Sequence, residues 1–385
     1  MSNGSQLREA APEANGDLPV TALPQESYTL PSRLYTDPAV YELERNRIFF
    51  NSWQYVAHQS CLSGEGDYCT VQICDQNLFV IRGGDGELRA FHNVCRHRAH
   101  ELVPHGQGTV KNLIVCPYHA WTYTREGMLR GAPNAHLRPG FNRRDFCLAQ
   151  VRLEIFLNCV FVNLNPHASS LAEQAGDLER DVRTRLPFFD EINVPTDDGC
   201  RSIDIKAGWK VVVDNYIECY HCDHAHPAFA DIICLDSYRN DVFGMWARQL
   251  GEDLKLENSA YRIAPDDDIG FSAFWYLWPN TTINVMPGEA GINISAIRPA
   301  GCMDTCFDGH TLTRSGKIAR ERRNYLNNVL VAEDVLICES VQRGLASQAY
   351  SQGPIIAGPT TSGRGEHALH HFHGLVARAL DIQLS

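Results

Sequence analysis

Two short stretches constrain this chain more than anything else in it. Cys95-Arg96-His97 is followed, after residues 98–115, by Cys116-Pro117-Tyr118-His119. Each stretch offers one thiol and one imidazole. Such groups bind metal only when deprotonated, and they act as a set only if tight turns aim them at a common point. The flanking sequence supplies such turns. Across 53–165, short β-rich runs at 68–73, 78–82, 113–116, 151–155 and 159–163 alternate with breaks, and Gly83-Gly84-Asp85-Gly86 reads as a hairpin turn. The expectation is a small all-β domain whose loops carry the donors.

Two Cys and two His leave two readings open. One is a tetrahedral zinc site. The other is a Rieske [2Fe–2S] centre, in which two Cys hold one iron and two His the other. One thiolate and one imidazole per loop lets two loops clasp a two-iron cluster from one side. The strand before Cys116 and Gly127 at the next turn favour the second reading.

Residues 209–228 form a second cluster. The apolar run Val211-Val212-Val213 leads into Glu218, His221, His224 and His226. Neutral imidazoles this close make half a site for a divalent transition metal. If the segment is helical, His221 and a residue three or four positions on share a face. Spacing alone does not decide between His224 and His226, and a further ligand must come from elsewhere.

At 385 residues the chain has room for about two domains. A net charge of -12 argues against a nucleic-acid surface or an anionic membrane as partner. No apolar run is long enough to span a bilayer. Residues 1–18 lack the basic-then-apolar order of an export signal, so a cytoplasmic protein is expected. On that reading the 14 Cys are reduced thiols, packing residues or metal ligands. Residues 1–26 read as disordered. A helical segment at 27–52, with Asp37 as N-cap and Pro38 in the first turn, is expected to pack on the larger domain. That domain, 166–385, alternates strands (202–205, 273–277, 282–286, 292–298) with helical patterns at 171–186, 210–225, 317–350 and 366–380. The fold class expected is α+β: a small all-β domain beside a larger antiparallel sheet covered by helices.

Taken together, these motifs resemble the Rieske non-haem iron oxygenases over nearly the whole chain. The resemblance implies that Cys95, His97, Cys116 and His119 hold the [2Fe–2S] cluster. Respiratory Rieske proteins carry an extra disulfide-bonded Cys in each loop; here those positions are His100 and Tyr118. The family pattern acid-x-x-His-x-x-x-x-His falls on Glu218, His221 and His226, which assigns both His to Fe(II). Asp334, in Ala332-Glu333-Asp334, matches the carboxylate ligand. Glu333 next to it is expected to point about 100° away on a helix. Glu339 and Gln342 are expected to be supporting residues, and Cys219 and Cys222 packing residues. Glu218 matches the acid that links a Rieske His of one subunit to an iron-ligating His of the next, which implies a homotrimer.

Glu218 within Glu-Cys-Tyr-His-Cys is closest to the branch acting on carnitine and glycine betaine. The implied activity is a monooxygenase that hydroxylates a C–H beside a quaternary nitrogen with O2 and cleaves the C–N bond. Electrons would come from NAD(P)H through a separate flavin/iron–sulfur reductase, since the chain has no G-x-G-x-x-G fingerprint. A quaternary ammonium substrate calls for aromatic faces; the candidates are Phe274, Trp275, Tyr276 and Trp278, of which only alternate residues can face one pocket. Arg298 is a candidate for a substrate carboxylate. The competing readings are a Rieske hydroxylase or demethylase of an aromatic substrate and, in another class, an electron-transfer or zinc-stabilised binding protein. His92, His100, His105 and the C-terminal His367, His370, His371 and His373 are read as ordinary hydrogen-bonded or surface residues.

Overall fold

A computed structural model describes residues 17–195, 199–317 and 319–382. Two seven-stranded antiparallel sheets organise it. The first runs Gln54–His58, Cys159–Asn163, Gln150–Phe156, Leu88–His92, Gln76–Arg82, Asp67–Ile73, Gln107–Thr109. Beside it, a three-stranded sheet of Ile114–Val115, Thr122–Tyr123 and Leu129–Gly131 closes over a small core of Phe79, Phe91, Trp121 and Tyr123. Alternation of apolar and polar residues along short strands, broken by glycine turns, yields this all-β unit.

The second sheet runs Cys200–Ile205, Thr305–Thr313, Gly291–Pro299, Thr281–Val285, Ser272–Leu277, Trp246–Gly251, Arg239–Val242. The helices Trp209–Tyr216, Val331–Leu345 and His367–Leu380 cover it. The fold is therefore α+β. The nine-residue strand Thr305–Thr313 pairs on both sides, yet its polar Cys306, Asp308 and His310 hid it from periodicity. Gly309 within it is required by close approach: a Cβ there would lie 2.2 Å from Ser295 Oγ and 2.3 Å from the Ile294 carbonyl oxygen. The helical pattern at 171–186 is two helices, Leu171–Ala175 and Leu178–Arg185, parted at Gly176.

The N-terminal segment is tied down by buried polar groups. Asp37 caps Pro38–Glu44 by accepting from the Ala39 N–H. Glu44 is buried, accepts from Trp209 Nε1 at 2.8 Å and pairs with Lys210. Removing one member of such a pair strands the other charge, a cost of about 3–5 kcal/mol. Of residues 1–26, the stretch 1–16 lies outside the described residues; Leu18 exchanges two hydrogen bonds with the Gln352 side chain.

The two large sheets meet at Tyr55 and His310. The Tyr55 hydroxyl lies 2.8 Å from His310 Nδ1. Arg298 donates to the Tyr55 carbonyl and to Asp308. The guanidinium proposed for a substrate carboxylate is therefore committed to this seam.

Candidate metal centres and substrate cavity

The Cys–His loops have matching closures. In residues 95–100 the Ala99 N–H donates to the Cys95 carbonyl and the Cys95 N–H to the His100 carbonyl, at 3.0 and 2.8 Å. In residues 116–121 the Ala120 N–H donates to Cys116 and the Cys116 N–H to Trp121, again at 3.0 and 2.8 Å. Ala99 and Ala120 both take positive φ, near 55°, a conformation that costs a non-glycine residue roughly 1 kcal/mol. The shared turn puts Cys95 and Cys116 in the core and the imidazoles at the surface: His97 is exposed, His119 half-buried, and their rings lie 4.6 Å apart. His97 stacks on Trp121, and the Tyr123 hydroxyl lies 3.4 Å from Cys95 Sγ. His119 Nδ1 is buried with no hydrogen-bond partner. A buried nitrogen lone pair beside two buried thiols is the donor chemistry an iron–sulfur cluster completes. His100 and Tyr118 form a ring contact where other Rieske loops carry a disulfide.

The second centre is assembled from separate elements. The helix Trp209–Tyr216 buries Val211, Val212 and Val213 and does not continue to 225 as expected. Side chains capture its terminal carbonyls: Gln249 Nε2 donates to Tyr216 and Asn240 Nδ2 to Ile217. Both take the place of helical N–H groups. The chain then turns through Glu218 into the short helices Cys222–Ala225 and Pro227–Ile232. Cys219 and Cys222 are joined as a disulfide with Cα atoms 5.0 Å apart, which corrects the expectation of reduced thiols. The turn brings the two Cβ atoms together in a way a straight helix does not.

His221 Nε2, His226 Nε2 and Asp334 Oδ1 converge, all within 4.8 Å of one another. His226 Nε2 is 3.2 Å from His221 Nε2 and 2.9 Å from Asp334 Oδ1. His224 is exposed and is not one of the three converging groups. Each imidazole is oriented through its other nitrogen. His221 Nδ1 meets Glu218 Oε1 at 2.5 Å, and His226 Nδ1 meets Glu333 Oε2 at 2.8 Å. Glu333 points away from Asp334 on the helix, yet still reaches the other nitrogen of His226. The turn between it and Asp334 lets the two acids grip one imidazole from both sides, because His226 comes from another element.

Burial by itself would push the His221 pKa down, but Asp334 and Glu218 reverse this and hold it at about 10. Burial likewise opposes the raised pKa of His226, where Asp334 and Glu333 prevail. Burial would raise the Asp334 carboxyl; the two imidazoles keep it low. Acids that draw protons onto both imidazoles hold a divalent cation equally well, and the convergent nitrogens and oxygen match a 2-His-1-carboxylate donor set in number and type. Among the described residues this is the one group of three or more donors with single-ion spacing.

The late helix locks the arrangement. Gln342 accepts from the Gly208 N–H at 2.8 Å and Glu339 from the Lys206 N–H at 3.2 Å, so the helix that carries Asp334 also holds the start of Trp209–Tyr216. A π turn, Leu326–Leu330, precedes the Asp334 segment. Sequence reasoning missed Asn215, whose Nδ2 lies 3.5 Å from His221 Nε2; its signal is a polar pair, Asp214-Asn215, ending an apolar helix.

A cavity of about 220 Å³ opens onto His221, His226 and Asp334. Its aromatic wall is Tyr216, Phe229, Tyr238, Phe274 and Phe307. Of the four aromatic candidates only Phe274 lines it. Trp275 faces the other side of the sheet and donates from Nε1 to Asp181. Tyr276 and Trp278 pack against Phe372 of the C-terminal helix. The four C-terminal His each make a separate contact: with the carbonyls of Gly358, Thr21 and Gly244, and with Asp214 for His373. They pin a helix and do not converge. No helix among the described residues is long and apolar enough to cross a membrane.

Comparison with known proteins gives the same picture. Residues 52–142 match the Rieske [2Fe–2S] domain, and 196–382 match the catalytic domain of ring-hydroxylating alpha subunits. The chain is 37% identical to the carnitine monooxygenase oxygenase subunit of Escherichia coli K12, over 93% of this chain and 95% of that one. It is 29% identical to the chloroplastic choline monooxygenase of Spinacia oleracea, over 91% and 78%. A quaternary ammonium Rieske monooxygenase solved with L-carnitine superimposes with a TM-score of 0.84 at 32% identity, covering 93% of this chain and 97% of that one. The same enzyme solved with gamma-butyrobetaine gives 0.82 at the same identity and coverage. The chain belongs to the Rieske oxygenases, as an oxygenase subunit whose two domains imply a [2Fe–2S] cluster and a mononuclear iron.

Proposed function

We propose that the chain is the oxygenase component of a multicomponent monooxygenase acting on a carnitine- or betaine-type quaternary amine. The observation that carries this reading is an aromatic-walled cavity opening onto His221, His226 and Asp334. Aromatic faces attract a trimethylammonium group that cannot hydrogen-bond. The similarity to carnitine and choline monooxygenases points the same way.

Cys95, Cys116, His97 and His119 are the residues to hold the cluster, and His221, His226 and Asp334 those to hold iron. Once bound, these groups supply one-electron transfer and O2 activation. The chain's own residues orient and exclude. Glu218 and Glu333 fix the two imidazole rings, Phe229 and Phe274 keep water from the ammonium end, and Asn215 stands beside His221. One oxygen atom enters a C–H bond next to nitrogen and the other leaves as water, with two electrons and two protons from outside. The resulting carbinol expels a tertiary amine and leaves an aldehyde.

The outward-facing His97 and His119 suit docking on a second copy, with Glu218 accepting from a neighbour's His119 while it holds its own His221. A homotrimer is the simplest ring that permits this. An external reductase completes the chain, drawing on NAD(P)H. The test is incubation of purified protein with reductase, NADH, O2 and a panel of trimethylated amines. Aldehyde and tertiary amine in equal amounts are expected; turnover only of an arene or an O-methyl ether would move the chain to the aromatic branch.

A further inference from the structure

The cavity has a polar end that the reactive centre does not use. Arg201, on the strand Cys200–Ile205, lines it. Its guanidinium donates to the Asn327 side-chain and backbone oxygens, the latter at 2.8 Å. Those contacts take two of the five N–H donors of the group. No carboxylate among the described residues pairs with it. Burial lowers its pKa, the mark of a cation whose desolvation no nearby acid offsets. The buried guanidinium of the lining, Arg322, is committed to the carbonyls of Met286, Glu289 and Gly291. Arg298, as shown, is committed to Asp308 and Tyr55.

The spacing is also informative. Asn327 and Asp334 lie on one continuous helical run, two turns apart, so Arg201 sits roughly 10 Å along that axis from the iron-site carboxylate. An extended ω-trimethylammonium carboxylate spans such a gap when a carbon beside its nitrogen lies at the iron.

We propose that Arg201, steadied by Asn327, is the specificity residue that binds the substrate's carboxylate and selects zwitterionic betaines over choline-like cations. This rests on the quaternary-amine reading and sharpens it. Arginine suits the task because its planar fork meets a carboxylate with two parallel hydrogen bonds.

The test is equilibrium binding to the iron-loaded, oxygen-free enzyme, which needs neither reductase nor turnover. In wild type, gamma-butyrobetaine is expected to bind more tightly than choline. Arg201→Gln should weaken gamma-butyrobetaine about 10- to 100-fold, the usual worth of a charged hydrogen bond, and leave choline within about threefold. Arg201→Lys should recover part of the loss. Unchanged choline binding shows the cavity intact, which a merely structural role for Arg201 would not give. Equal gamma-butyrobetaine affinity in wild type and Arg201→Gln overturns the inference alone, as does a loss seen in Lys317→Gln or Arg323→Gln, cations that also line the cavity, but not in Arg201→Gln. A wild type that binds neither compound overturns the quaternary-amine reading and this inference with it.

Discussion

The two candidate metal centres are built in opposite ways. The Rieske loops are local: four donors within one short stretch, each loop closed by its own pair of backbone hydrogen bonds. Its ligand geometry is set by turns, and two of its donors sit at the surface. The second candidate centre is collected from a turn after one helix and from the first turn of another far along the chain, and it is fixed by side chains: Glu218, Glu333, Gln342 and the Asn240 and Gln249 caps. A local site survives changes elsewhere in the fold. A collected site inherits every error of packing between the elements that supply it.

That contrast can be tested at Glu218, the residue proposed to link the two centres. Glu218→Gln keeps an acceptor oxygen for His221 but loses the charge proposed to serve a neighbour's His119 as well. Turnover is expected to fall by at least about 100-fold, with iron content and the reduced-cluster EPR signal unchanged. Unaltered turnover would remove Glu218 from the electron path and make the two centres independent.

A smaller effect separates the collected site from the local one. Glu333→Gln weakens the grip on His226 Nδ1, so iron affinity or activity should drop about 10- to 100-fold. The cluster EPR signal should not move. A change in that signal would mean that the late helix also supports the Rieske loops.

The smallest effect lies at the seam between the sheets. Burial, reinforced for His58 by neighbouring His310, holds the His58 pKa at about 4. Burial also holds His310 at about 4, with Asp308 opposing and Arg298 assisting. Both are neutral in the folded protein, whereas the unfolded chain takes up these protons below about pH 6.5. Stability therefore falls as pH drops from about 6.5 to 4 and levels off below, by roughly 2–3 kcal/mol per histidine. His310→Gln keeps a partner for the Tyr55 hydroxyl and removes one titration. The Tm loss between pH 7 and pH 5 should shrink by a few °C; an unchanged slope would place the acid sensitivity elsewhere.

Legibility in the sequence followed the same division. Cys95, His97, Cys116 and His119 could be proposed from the sequence because their partners are neighbours in the chain. The Asp37 cap and the strand Cys159–Asn163 were legible for the same local reason. Asp334 could be proposed only through the family resemblance, since a helical acid carries no mark of what faces it. Glu333, Arg201 and the Cys219–Cys222 pair were not legible, because each depends on where an element stops or what crosses it. The aromatic run at 274–278 shows the limit well. Alternation said that some of its residues must turn away from a pocket, but packing against Phe372 and Asp181 decided which.

The π turn Leu326–Leu330 has a consequence for how such enzymes diversify. It contains Asn327, which steadies Arg201, and leads into the turn that carries Asp334. A π turn holds one residue more than the α-helical turn it replaces, and converts to it by a single deletion with little cost to the rest of the helix. The separation of the two ends of the cavity is thus a gauge adjustable by one residue at a time. A one-residue change there would alter the length of substrate that fits while His221, His226 and Asp334 stay where they are.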